Sequence, residues 1–184
     1  MKTNGARFLE NLGIAFELGT YEVDLEDLSA INVAKKIGLP PEQVFKTLLA
    51  TSGPGEYLFA VIPGDAEIDF KKLARAAGVR STEMVHLKEV QPLTGYVRGG
   101  VTVFGAKKNF PVYVDENMIL FNKIAVSAGA RGVQLLLAPE DYLRAAEAQT
   151  ADLVKDPQPA EEQSPYAYDA AAWAQHGKGH RKSK

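Results

Sequence analysis

The run Val44-Phe45-Lys46-Thr47-Leu48-Leu49-Ala50 places one cation in the middle of an otherwise apolar strand pattern. Side chains alternate along an extended chain, so Val44, Lys46, Leu48 and Ala50 share one face and Phe45, Thr47 and Leu49 the other. Turn signals follow at Ser52-Gly53-Pro54-Gly55, and Tyr57 to Ile62 then returns as a hairpin partner. Removing an ammonium from water is costly, so a mid-strand lysine must reach solvent, pair with an anion or open into a wet cleft. From this stretch alone two readings stay open: an edge-strand lysine that discourages aggregation, or a functional cation.

Local signals place several helices around that strand. Thr3 to Leu12 reads as a helix with apolar Ala6, Phe8, Leu9 and Leu12 and a stop at Gly13. Ile14 to Val23 reads as a strand and its exit. Ser29 to Gly38 is a second helix, Asp69 caps a third that runs to Ala77 before Gly78, and Pro139-Glu140-Asp141 opens a last one that ends near Ala148. The character changes from Glu89, and Pro92 to Gly105 reads as a glycine-punctuated loop system. Short strands are predicted at 112–114, 124–126 and 133–137. Irregular alternation of helices with single and paired strands predicts an α+β fold with a mixed, mostly antiparallel sheet flanked by helices. The domain is expected over 1–156, and the polar 157–184, with its basic end at His180-Arg181-Lys182, reads as a flexible C-terminal extension.

Composition removes several functions. The chain has 184 residues, 46% hydrophobic and 24% charged, which suits one soluble domain. Every apolar run is interrupted before membrane-spanning length, and the N-terminus leads into an amphipathic helix, not a signal-peptide core. Zero Cys excludes disulfides, thiolate metal sites and a cysteine nucleophile of the protein's own. The three His are scattered, which argues against a metal centre and makes a Ser-His-Asp triad a poor fit. A net charge of −2 argues against a general nucleic-acid coat, although Arg98, Lys107, Lys108, Lys123 and Arg131 could form a local basic face.

Two glycine segments could serve a ligand. Gly99-Gly100, after Tyr96-Val97-Arg98, would let backbone N–H groups approach a carbonyl or oxyanion, although taken alone the segment is better explained as a tight hairpin or bulge. Ser127-Ala128-Gly129-Ala130-Arg131-Gly132 sets a hydroxyl at a strand end before a cationic turn.

Four pieces together carry a resemblance: Lys46 in Phe-Lys-Thr-Leu-Leu, Thr94 to Gly100 with Gly105 and Lys107-Lys108, Val126 to Gly132, and Ala138-Pro139-Glu140-Asp141. In order and spacing they resemble the YbaK family, freestanding trans-editing aminoacyl-tRNA deacylases related to the editing domain of bacterial prolyl-tRNA synthetases. The resemblance covers about 1–156. It implies a pocket for the 3′ aminoacyl-adenosine end of a tRNA and removal of a wrong amino acid, most typically Cys from tRNA(Pro). It makes Lys46 the essential lysine and lines the pocket with Tyr21, Thr47, Gly99, Gly100, Val101, Ser127 and Gly129. Arg98, Lys107, Lys108 and Arg131 become the tRNA contacts.

It implies no cofactor and no metal, an aminoacyl-tRNA substrate, a prolyl-tRNA synthetase as a potential partner, no membrane, and a cytoplasmic location. In Cys-editing relatives the substrate's own thiol attacks its ester and leaves as a thiolactone, so no protein nucleophile is needed. Two departures concern substrate choice: Val103 stands where the family has Pro, and Val23 replaces a common His. The alternatives are a relative that clears Ala or another small residue with water, a silent aminoacyl-tRNA or nucleotide-binding module, and a purely structural domain.

Overall fold

A computed structural model describes residues 2–157; the extension expected over 157–184, with its histidines and basic end, lies outside the described residues but for Pro157. In chain order the elements are α1 (Asn4–Asn11), β1 (Glu17–Thr20), α2 (Ala30–Ile37), β2 (Phe45–Gly53), β3 (Glu56–Pro63), α3 (Phe70–Ala77) and β4 (Glu83–Met84). They continue with α4 (Leu87–Thr94), β5 (Val112–Asp115), β6 (Ile124–Ser127), β7 (Val133–Leu137), α5 (Pro139–Ala146) and β8 (Gln149–Ala151). Short 3₁₀ turns fill Pro41–Gln43 and Glu116–Leu120.

The helices start where local chemistry starts them. Thr3 Oγ1 accepts from the Ala6 N–H, Ser29 Oγ from the Asn32 N–H, and Asp69 Oδ1 from the N–H groups of Lys71 and Lys72. Each bond satisfies a donor that the first helical turn leaves free.

The strands form two sheets, not one. A three-stranded antiparallel sheet runs β1-β7-β6, and a five-stranded mixed sheet runs β4-β2-β3-β5-β8. Within these sheets, among the described residues, the β3–β5 and β5–β8 pairings are parallel and the others antiparallel. The predicted α+β fold, mixed and mostly antiparallel, is therefore what the chain adopts. β3 is buried on both faces: Phe59 and Val61 join a large core with Leu9, Phe45, Phe104, Ile124, Leu135 and Tyr142, while Leu58, Ala60 and Ile62 pack with Leu73 and Leu153. Each such fully buried side chain contributes about 1.5–3 kcal/mol. Among the described residues no helix is long and apolar enough to cross a membrane.

Two expectations change. The segment from Pro92 reads as loop in the sequence, yet α4 runs from Leu87 through Pro92 to Thr94. In a helix of only two turns, Pro92 forgoes just the bond to the Lys88 carbonyl. Gly95, at φ 83°, then ends the helix in the left-handed conformation and donates to the Gln91 carbonyl. The strands β4 and β8, of two and three residues, were not predicted at all.

The two sheets meet at one rung, a parallel bridge between Val44 and Ala125. α2 covers it, with Val33 and Ala34 packed on Val44 and Ala125. Beyond the rung the sheets diverge. β2 regains a neighbour on that side only at Ala50 and Thr51, opposite Met84 and Glu83. The backbone edge from Lys46 to Leu48 is left open, and a cavity fills the gap.

Candidate active site

The cavity has a volume of about 600 Å³, within the range of small-ligand sites. Its position follows from strand register. Val44 and Ala125 face each other at the rung, so two residues further Lys46 and Ser127 project on the same side of two diverging strands. Ser127 is paired with Gln134 on β7, and Gln134 with Gly19 on β1. Lys46, Ser127 and Gln134 thus make one polar row in an apolar face, with Ser127 and Gln134 on paired strands about 4.8 Å apart and Lys46 across the gap.

Lys46 is half-buried, and its Nζ donates to the Gly64 carbonyl at 3.3 Å. Burial holds its ammonium below the usual lysine value, opposed by the charges of Asp65 and Glu67. No carboxylate lies within ion-pair distance of it among the described residues. Lys46 and Arg98 are the charged groups lining the cavity, and neither a carboxylate nor a histidine lines it. The walls are apolar: Leu28 and Ile31 on one side, Met84, Leu87 and Val90 on the other. Such a site suits a ligand with an anionic or carbonyl-rich end set against Lys46 and Arg98.

The structure brings together Lys46, Thr47, Arg98, Gly99, Val101 and Ser127 of the residues selected from sequence. The N–H groups of Gly99 and Val101 make no hydrogen bond among the described residues. Ser127 Oγ accepts from the Gly129 N–H at 3.2 Å, which leaves its own proton to donate.

The remaining selected residues do not line the cavity, and each has another occupation. The Gly100 N–H, expected to face a carbonyl, is committed to the Val97 carbonyl at 2.9 Å. A Cβ at Gly100 would sit 3.1–3.3 Å from the Ala130–Arg131 backbone, so its glycine permits loop packing. Gly129 spends its N–H on Ser127 and lies against the Tyr96 ring. Tyr21 packs beneath the seam with Val44 and Ala125. Arg131 donates from Nε to the Arg98 carbonyl at 2.8 Å and so braces the Gly99 loop from behind. Lys107 and Lys108 are exposed beyond that loop.

Gln134 was missed, although the signal was present. It interrupts the apolar run Val133 to Leu137 as Lys46 interrupts Val44 to Ala50. The apolar walls had no comparable signal, because they come from segments that only tertiary packing unites.

Residues 27–145 match the family described as aminoacyl-tRNA editing domain. EbsC of Enterococcus faecalis, named as a proposed Cys-tRNA(Pro)/Cys-tRNA(Cys) deacylase, is 40% identical over 152 residues, covering 83% of this chain and 93% of that protein. The Ser/Thr-tRNA deacylase ProXp-y of Escherichia coli K12 is 28% identical over 97 residues, 52% of this chain and 58% of that protein. A crystal structure described as a proposed trans-editing enzyme for prolyl-tRNA synthetase superposes with a TM-score of 0.73 over 85% of this chain and 99% of that one, at 23% identity, and shares the fold. With well over half its length matched, and EbsC aligned along most of both proteins, the chain belongs to the aminoacyl-tRNA editing domain family.

Proposed function

We propose that this protein is a trans-editing deacylase that removes Cys from tRNA(Pro), with the substrate's own thiol as nucleophile. The observation that carries the reading is a cavity where a half-buried Lys46 shares the walls with the Ser127 hydroxyl and the Gly99 and Val101 N–H groups, with no carboxylate on the amine and no partner for those N–H groups among the described residues. Apart from the Lys46 amine, nothing that lines it among the described residues resembles a protein base for activating Ser127 or water, since no carboxylate, His or Cys is there. A site of this kind positions an ester and stabilises charge on its carbonyl oxygen.

In the proposed step the Cys sulfur bonds to the ester carbonyl carbon and the bond to the ribose oxygen breaks. The thiol proton ends on that ribose oxygen, and a thiolactone leaves. Lys46 holds the terminal phosphate or polarises the ester, the Gly99 and Val101 N–H groups face the carbonyl oxygen, and Ser127 donates to the aminoacyl ribose. Arg98 meets the tRNA backbone at the mouth, and a prolyl-tRNA synthetase that supplies the mischarged tRNA is the natural partner. A substrate of this kind places the work in the cytoplasm.

A second reading is favoured by the likeness to ProXp-y: Ser, Thr or Ala esters cleaved by water in the same pocket. Charging tRNA(Pro) with Cys, Ala and Ser, timing release and identifying the product decides between them. Thiolactone from Cys supports the first reading; free amino acid from Ser or Ala with Cys spared supports the second. tRNA binding with no ester loss on any substrate defeats both and leaves a silent binding module.

A further inference from the structure

The strongest unexplained group in the molecule is the Gln134 carboxamide. Gln134 is 4% exposed and lines the cavity, yet its Oε1 is buried with no hydrogen-bond partner among the described residues. An orphaned buried acceptor costs free energy, commonly about 1–3 kcal/mol, so its retention calls for a donor that arrives with a ligand. Gln134 faces Ser127 on the neighbouring strand, one step further from Lys46 along the polar row. The terminal amide torsion is soft enough to turn either end of the carboxamide toward the cavity.

We infer that Gln134 reads the α-amino group of the aminoacyl moiety, and so fixes how the amino acid is presented to its own ester. The inference rests on the deacylase reading above. Every aminoacyl ester carries that amine, and no lining carboxylate is available to pair with it. A neutral amide oxygen accepts from the amine in either protonation state. Holding the amine at Gln134 leaves the third substituent of the α-carbon free to fold back, which is what thiol attack on the adjacent carbonyl requires. Of the acceptor side chains around the cavity, Gln134 is the one both buried and unused.

The test deletes the amine and the amide in turn. Deacylation of Cys-tRNA(Pro) is compared with 3-mercaptopropionyl-tRNA(Pro), which keeps the thiol and lacks the amine, in the wild type, Gln134→Leu and Gln134→Glu. Wild type should favour the amine-bearing ester by roughly 10- to 100-fold in kcat/KM, the range of a hydrogen bond to a charged group. Gln134→Leu should bring the ratio close to one, and Gln134→Glu should keep it. In parallel, affinities of the same proteins for alanyl and propionyl 3′-amides of adenosine read the contact without chemistry.

Retention of the amine preference in Gln134→Leu overturns the assignment and makes the residue structural. So does a changed Cys-to-Ala ratio with amine preference intact, which would move Gln134 to the amino-acid side chain. Absence of ester loss in the wild type sinks the deacylase reading instead, while the amide affinities still decide the fate of Gln134.

Discussion

The Lys46 ammonium donates to the Gly64 carbonyl at 3.3 Å and lies within ion-pair distance of no described carboxylate. One neutral acceptor is a poor replacement for water around a cation. The arrangement is poised for an incoming anion or carbonyl, and it should cost the empty protein stability.

Replacing Lys46 by Met keeps the alkyl stem and removes the charge. Deacylation should fall by roughly 100- to 1,000-fold, the scale of a lost electrostatic contact to a developing oxyanion. The melting temperature should hold or rise. Full activity in Lys46→Met would take the amine out of the mechanism.

The same residue gives a pH signature. Burial lowers its folded-state value, so between that value and the ordinary 10.5 the unfolded chain binds more protons than the folded one. Stability therefore rises with pH through this window, as the penalty of keeping the amine charged disappears. Melting curves of the wild type and Lys46→Met should differ most at neutral pH and converge toward pH 10.5. A gap that widened instead would mean the amine is better solvated folded than unfolded.

Tyr142 is fully buried against Phe104, and its hydroxyl has no partner among the described residues. Burial alone pushes the phenol above its usual range. Tyr142→Phe removes an unpaired polar atom at nearly constant shape, so urea unfolding should show a change between zero and about 1 kcal/mol of added stability. A clear loss would reveal an internal water on that oxygen.

Gly5 donates to the Ala128 carbonyl at 3.0 Å, and a Cβ there would lie 2.6 Å from the same oxygen. Gly5→Ala must push α1 off the turn after Ser127. Chemical unfolding should register about 1–3 kcal/mol lost, the usual cost of overpacking. Deacylation should weaken with it, because Ala128 sets the backbone that carries Ser127. Undiminished stability would show that α1 can move without consequence.

How much of this was legible depended on how local each cause is. α1, α2 and α3 could be placed because a cap side chain and a closing residue lie within the helix's own turn. Lys46 stood out because a charge breaks an alternation over seven residues. α4 was hidden by Pro92, whose usual meaning as a breaker weakens in so short a helix. β4 and β8 carry too few residues to show a period, and their pairing depends on neighbours far along the chain. Gly100 was given a ligand-facing role that its bond to Val97 takes away, a detail fixed by the turn geometry alone.

The single rung between Val44 and Ala125 also sets the gauge of the site. With one backbone bridge between two sheets that otherwise meet through side-chain packing, sliding of one past the other changes the span from amine to hydroxyl. The small residues Ala34 and Ala125 and the methyls of Val33 and Val44 clamp that joint. Enlarging Ala34 or Ala125, which do not line the cavity, should detune turnover from a distance, leaving every lining group chemically intact.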